Sequence, residues 1–237
     1  MKTKTDLFAL VALGFAFTAV QAQNFGGEAG CGSLANPFGP YDYRTAPRRS
    51  LKDVNDNHFN PNVQQLRRGQ TASIAADLDY VLRAFPNHHP ALDALLRLWI
   101  KQSGLEAGFL KPLDCYLDRS LRFAPDDPVP PLLFASYFAK LNRKTDALSL
   151  VDRALRSPKA WALTHFNAGL VLMELGEAQR ALEQAHLAMA QGLNRPDLRD
   201  ALMKAGAWRE PTADKGSATT TPAAAASAAS AASAASA

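Results

Sequence analysis

Histidines are the side chains of this sequence with the most varied possible chemistry, because imidazole is both a general base near neutral pH and a common metal ligand. The 237-residue chain has five of them, at His58, His88, His89, His165 and His186. Their spacing matches no zinc-binding pattern such as His-Glu-x-x-His, and two of them, His58 and His88, stand beside predicted helix starts. We therefore expect capping and surface roles, with metal binding as the alternative.

Two acidic pairs have the composition of a catalytic acid and base. Asp126 and Asp127 stand directly before Pro128, which predicts that they cap the entry to a helix. Asp77 and Asp79 are expected on the solvated side of a helix. The sequence contains no nucleophile elbow, phosphate-binding loop or dinucleotide-binding motif. We thus predict no catalytic residues, no metal and no cofactor, and we do not expect an enzyme.

Composition describes an ordinary globular protein, with 47% hydrophobic and 20% charged residues and a formal net charge of +4. These values exclude a collagen, a coiled-coil rod, a disulfide miniprotein and a polytopic membrane protein. The charge is too mild to indicate nucleic-acid binding, so none is expected.

The two ends of the chain differ from its middle. Residues 1–22 begin with Lys2 and Lys4, continue through an apolar run and close on a small-residue pattern, which is typical of a cleaved secretory signal peptide. The run is too short to span a bilayer, so no transmembrane segment is expected after cleavage. With no Asn-x-Ser/Thr acceptor in the sequence, we predict a periplasmic protein. Residues 211–237 are rich in Ala and Ser, and we predict a disordered tail there.

The sequence has two cysteines, Cys31 and Cys115. In an exported protein such a pair is expected to form one disulfide bond. Neither belongs to a Cys-x-x-Cys motif, so redox catalysis is not expected. The predicted bond would hold the amino-terminal segment onto a helix.

Small residues recur in the middle of the chain at an offset of 34. The offset pairs Ala135 with Gly169, Asn142 with Gly176, Ala147 with Ala181, and Ala154 with Ala188. Small residues recur where two helices approach closely, and a turn residue recurs between helices. The period therefore predicts stacked helical hairpins.

Two segments carry this pattern most fully. In residues 162–195 the matching positions are Gly169, Leu172, Gly176, Ala181, Ala185 and Ala188. In residues 128–161 they are Ala135, Phe138, Asn142, Ala147, Val151, Ala154 and Pro158. On these residues the chain resembles the tetratricopeptide repeat (TPR) family.

The resemblance extends more weakly toward the amino terminus, with degenerate copies at residues 55–88 and 89–127. The second of these has about five extra residues between Ser103 and Pro112. Residues 196–208 look like a helix that caps the last repeat. The resemblance thus implies an all-α fold: a right-handed solenoid of TPR-like hairpins over residues 55–210, with a carboxy-terminal capping helix.

Residues 23–54 are rich in Gly, Pro and aromatics and are predicted to form an extended amino-terminal arm. Phe38, Tyr41 and Tyr43 are expected to anchor this arm on the first hairpins, with a partner-facing aromatic patch as the alternative. A short basic run in the arm is expected to be solvated, with attraction to an anionic envelope polymer or lipid as the alternative.

TPR geometry implies that the first helices of the hairpins line a concave groove that binds a peptide or protein segment. The positions that the resemblance assigns to it are Arg97, Val129, Leu132, Ser136, Lys140, Leu163, Phe166, Asn167, Leu170 and Met173. The chain departs from the carboxylate clamp of chaperone-binding members, because Leu132 and Phe166 stand where that clamp has Lys. A hydrophobic helix or extended strand is therefore the expected ligand, and packing against the neighbouring repeat is the alternative role of these residues.

The function that these observations favour is a periplasmic, TPR-type interaction module or adaptor that binds a protein or peptide partner in the cell envelope. Two alternatives stay open: an envelope hydrolase or metal-dependent enzyme on a helical-repeat scaffold, and a structural envelope spacer.

Overall fold

The computed structural model of the chain describes residues 30–102 and 110–211. Over these ranges the chain forms ten α-helices and no β-strand, so the predicted all-α class is confirmed. The helices are α1 (Arg48–His58), α2 (Pro61–Gln64), α3 (Ile74–Ala84), α4 (His89–Lys101), α5 (Leu113–Phe123), α6 (Val129–Lys140), α7 (Lys144–Leu155), α8 (Ala162–Glu174), α9 (Ala178–Ala190) and α10 (Pro196–Lys204). The predicted signal peptide, the predicted tail beyond residue 211 and most of the extra residues after Ser103 lie outside the described residues.

Side chains just before several of the helices accept hydrogen bonds from the first free amides, as Ser73 and His88 illustrate. Ser73 Oγ accepts from the amide of Ala76 at 3.2 Å at the start of α3. His88 Nδ1 accepts from the amide of Ala91 at 3.1 Å at the start of α4. The capping role predicted for His88 is confirmed.

The turns after α6 and α8 have the same backbone geometry. Asn142 has a φ of 57° and Gly176 a φ of 75°, both in the left-handed region. The next amides close the two helix ends, from Arg143 N to Phe138 O at 2.9 Å and from Glu177 N to Leu172 O at 2.8 Å. These bonds satisfy carbonyls that a helix end otherwise leaves free. The equivalence of Asn142 and Gly176, predicted from the offset of 34, is confirmed.

Helices α6 and α7 pack closely on each other, as do α8 and α9. The small residues of the repeat pattern lie where these helices meet, and Ala135, Gly169, Ala147 and Ala181 are all buried. Their side chains are short enough for the helices to approach closely. One continuous cluster of buried apolar side chains runs from α1 to α10.

Helices α6 and α8 lie side by side and run in the same direction. At one edge, Ser157 Oγ before α8 donates to the carbonyl of Asp126 before α6 at 2.6 Å. At the opposite edge, Lys144 Nζ at the start of α7 lies 2.6 Å from Glu177 Oε1, just before α9. The amino ends of α6 and α8 therefore share one edge of the domain, and their carboxyl ends share the other.

The segment before α1 is fastened to the helices at several points. The sulfur atoms of Cys31 and Cys115 are 2.06 Å apart, a disulfide-bonding distance, which joins the segment to α5 as the sequence predicted. Phe38 and Tyr41 pack on the apolar core, and Tyr41 donates its amide to the carbonyl of Ala84 at 2.8 Å. The anchoring expected of these two aromatic residues is confirmed.

A polar cluster fastens the end of the same segment. Asn87 Oδ1 accepts from the amide of Tyr43 at 2.9 Å, and its amide nitrogen donates to Asp42 at 2.9 Å. Arg44 donates to Asp42 and, at 2.8 Å, to Asp126. Helix α1 then begins at Arg48, inside the stretch predicted as extended arm, because Val54 on α1 has a place in the core.

Candidate functional site

A cavity of about 310 Å³ opens between α6 and α8. Its lining residues are Val129, Leu132, Leu133, Ser136, Trp161, Leu163, Thr164, Asn167, Leu170, Val171 and Glu174. Four of them are spaced three or four residues apart on α8 and so share one face of that helix: Leu163, Asn167, Leu170 and Glu174. Most of the lining is apolar, and Ser136, Thr164, Asn167 and Glu174 place polar groups among it.

The cavity contains six of the predicted groove residues, namely Val129, Leu132, Ser136, Leu163, Asn167 and Leu170. The other four lie elsewhere. Arg97 is exposed on α4 and pairs with Asp93 at 2.7 Å. Lys140 is exposed at the end of α6, and Met173 packs on the core cluster.

Phe166 does not line the cavity and instead packs with residues of α9 and α10. It is buried, with 3% of its surface exposed, and the guanidinium of Arg195 covers its ring at 4.7 Å from the centroid. Phe166 and Leu132 are equivalent at the offset of 34. Leu132 faces the cavity beside α8, whereas Phe166 faces the residues of α10 and is covered by them.

Five cavity residues were not among the predicted groove positions: Leu133, Trp161, Thr164, Val171 and Glu174. Trp161 is the most informative of them, because 55% of this large side chain is exposed directly before α8. Glu174 was detectable from the repeat, since it is equivalent to Lys140 at the offset of 34. Trp161 has no such signal in the sequence.

The lining of the cavity is suited to binding. It contains no His, Cys or Lys, and its one acidic side chain, Glu174, has no base beside it in the lining. Apolar walls with a few placed polar groups are typical of sites that hold a ligand by burial and orient it by hydrogen bonds.

Asp77 and Asp79 were predicted on a solvated helix side, and that prediction is wrong. Their residues are 1% and 0% exposed, because α1, α5 and the loop before α3 cover this part of α3. Asp77 accepts hydrogen bonds from His58 Nδ1 at 3.0 Å and from the amide of Thr71. Burial raises the pKa of Asp77, but the hydrogen bonds from Thr71, Gln70 and His58 outweigh it and hold that pKa below its usual value.

Asp79 joins α3 to α5. Its carboxylate accepts from Lys111 Nζ at 2.7 Å, from the hydroxyl of Tyr116 at 2.9 Å and from Arg83 Nε at 2.9 Å. Burial raises the pKa of Asp79, and these donors, with Lys111 first, lower it by more. A buried carboxylate with three donors is a structural anchor, since every partner is already engaged.

Asp127 combines the predicted capping contact with a second role. Its Oδ1 accepts from the amide of Val129 at 3.0 Å at the start of α6. Its Oδ2 accepts from Asn87 at 2.8 Å and lies 2.7 Å from His89 Nε2. The carboxylate is fully buried, so it also fastens α4 to the turn before α6.

Within residues 30–102 and 110–211, no group of three or more His, Cys, Asp or Glu side chains is arranged to hold a metal ion. No helix in these ranges has the length and apolar character needed to cross a membrane.

Comparison of the chain with protein-family models, curated proteins and solved structures finds no match.

Proposed function

We propose that this protein is a TPR-type interaction module of the periplasm, which binds a peptide or protein segment of an envelope partner in the cavity between α6 and α8. The observation that carries the proposal is the open apolar cavity of about 310 Å³ with the exposed Trp161 at its edge. Exposed aromatic side chains beside apolar pockets are the usual anchors of protein recognition.

The repeat geometry supports the TPR assignment. Asn142 and Gly176 form the same turn 34 residues apart. Small residues at equivalent positions lie between α6 and α7 and between α8 and α9. Parallel first helices with a groove between them are the expected product of stacked hairpins. In this proposal α10 caps the last hairpin.

The disulfide-bonding distance between Cys31 and Cys115 supports the proposal that the protein resides in an oxidising compartment. The signal-like residues 1–22 support export to the same place. Together they favour the periplasm.

A photo-crosslinking amino acid at Leu170, which lines the cavity, tests the proposal in cells that express the complete chain. We expect one dominant protein adduct, which is lost when Trp161→Ser is added. Because Trp161 is more than half exposed, this substitution should leave the fold intact. The same crosslinker at Leu187, exposed on α9 and outside the cavity lining, is the matched control and should capture no such adduct.

An equal adduct from Leu187, or one that persists in the Trp161→Ser variant, would contradict the proposal. Phe166→Asp is unsuitable as the disrupting change, because Phe166 is buried under α10 and its loss would unfold the end of the domain. Absence of any adduct, together with loss of envelope retention on deletion of residues 211–237, would favour the spacer alternative.

A further inference from the structure

Glu174 is the one charged side chain in the lining of the α6–α8 cavity. It is exposed, and it forms no ion pair with any residue of the described ranges. The carboxylate is therefore free to meet a cationic group on a ligand that enters the cavity.

The helix ends at this edge add to the negative potential. Glu174 is the last residue of α8, and the parallel α6 ends at the same edge with Lys140. The carboxyl end of a helix carries a partial negative charge because its peptide dipoles are aligned along the helix axis. Lys140 offsets the charge at the end of α6, whereas the end of α8 and the carboxylate of Glu174 together favour a positive charge at this end of the cavity.

The cations near this edge leave the carboxylate of Glu174 unpaired. Arg143 pairs with Asp146 at 2.7 Å, and Lys144 pairs with Glu177 at 2.6 Å. Lys140 is exposed, but it does not line the cavity. A group inside the cavity therefore meets Glu174 first.

We infer that the segment bound in this cavity is a basic and apolar peptide segment, with a Lys or Arg placed beside a large apolar anchor. This inference rests on the proposed function and specifies its ligand. The anchor packs among Leu132, Leu163 and Leu170, and the basic group reaches Glu174 at the carboxyl end of α8. Asn167, between them on the same helix face, is placed to hydrogen-bond the peptide backbone.

Fluorescence anisotropy with the purified full chain and three labelled peptides tests this ligand class. The peptides share the same Leu and Phe anchors, which are flanked by Lys in the first, Gln in the second and Glu in the third. We expect the Lys peptide to bind most tightly and Glu174→Gln to weaken it by about 2- to 5-fold, the range of an exposed ion pair. Glu174→Lys should reverse the preference in favour of the Glu peptide.

Glu183→Gln is the matched control, because Glu183 is an exposed acid on α9 outside the cavity. Equal affinity for the three peptides, with all binding lost in Trp161→Ser, would overturn the charge preference and leave the proposed function standing. Binding of none of the peptides, or binding that Trp161→Ser does not weaken, would overturn both. Self-association of the chain that Trp161→Ser abolishes would identify a second copy as the occupant, and would also overturn the inference.

Discussion

A side chain at position 169 would collide with Leu198. A Cβ atom built on Gly169 lies 2.4 Å from Leu198 Cδ2, far inside van der Waals contact. Gly169 is in the middle of α8, and Leu198, which is 1% exposed, is on α10. Helix α10 thus packs so closely on α8 that a methyl group at position 169 would require the side chain of Leu198 to shift.

Gly169→Ala should lower the free energy of unfolding by about 1 kcal/mol. Overpacking a core costs about 1–3 kcal/mol, and the higher helix propensity of Ala returns up to about 1 kcal/mol. Leu198→Ala alone should cost about 2–5 kcal/mol because it leaves a cavity. In urea denaturation the double variant should lose less than the sum of the single losses, since the methyl at 169 enters the space vacated by Leu198. If the stability losses of the two single variants are additive in the double variant, residues 169 and 198 are not in contact.

Gly176→Ala should cost about 1–2 kcal/mol, because residue 176 has a φ of 75° and an L side chain is strained there. No atom lies within 4 Å of a Cβ built at Gly176, so this loss isolates the backbone strain. The complementary change, Asn142→Gly at the equivalent turn, should be neutral or stabilising by a few tenths of a kcal/mol. Thermal denaturation of both variants measures the effect. Equal stability of Gly176→Ala and the unchanged protein would rule out a left-handed turn at this position.

The features that the sequence predicted are those that local spacing encodes. Ala135 and Gly169 indicated close helix contacts, because only a small side chain fits between two closely packed helices. Asn142 and Gly176 indicated the turns, because a left-handed backbone conformation favours Gly and Asn. The pairing of Cys31 with Cys115 followed from their number together with the predicted export of the chain. Part of the cavity lining was predicted from the resemblance to the TPR family.

The errors concern burial by elements that are distant in sequence. The local sequence around Asp79 predicts a surface residue, but Lys111 and Tyr116, which are distant in sequence, bind its carboxylate and bury it. Phe166 has the position of a groove residue, but α10 covers it, and nothing near Phe166 in the sequence indicates this. Trp161 was missed because it precedes its helix and has no equivalent in the repeat pattern.

Removing the disulfide should destabilise the protein without releasing the whole amino-terminal segment. Cys31 and Cys115 are 84 residues apart in sequence, and closing a loop of this size is worth about 4.5 kcal/mol in the chain-entropy treatment. The variant Cys31→Ser/Cys115→Ser should lose an amount of this order in urea denaturation. It should keep the segment docked at Arg44, which is bound to Asp126.

Hydrogen exchange tests whether the disulfide and the Arg44 contacts hold different parts of the amino-terminal segment. In the double Ser variant, amides near residue 31 should exchange faster, whereas the amide of Tyr43, bonded to Asn87, should stay protected. Adding Arg44→Gln, which removes the bonds to Asp42 and Asp126, should then speed exchange at Tyr43 but not at Tyr41, whose amide is bonded to Ala84. Two reactive thiols in the native, oxidised protein would contradict the bond itself.

His88 is buried in an aromatic surrounding. Its ring lies 4.3 Å from the ring of Tyr43 and 5.1 Å from that of Phe59, measured between centroids. Its Nδ1 accepts from the amide of Ala91, so the proton of the neutral ring is on Nε2, which lies 3.2 Å from Asn55 Oδ1. Burial, with a smaller contribution from His89, lowers the pKa of His88 from 6.5 to about 3.

The protein should therefore lose stability as the pH falls below about 6.5, because the unfolded chain then binds a proton at His88 that the folded chain does not. The slope approaches about 1.4 kcal/mol per pH unit, which gives a loss of roughly 2 kcal/mol between pH 7 and pH 5 from this one group. Asp77 and Asp79 add a loss of the same sign at lower pH, since their pKa values are lowered in the folded state and folding then favours the ionised carboxylates.

Urea denaturation at pH 7, 6 and 5 should show a shallower slope in both His88→Asn, which keeps an acceptor for the Ala91 amide, and His88→Gln, whose amide can reach Asn55. The two variants should differ at pH 7 and agree in slope, and an unchanged slope in both would show that His88 does not resist protonation in the folded protein.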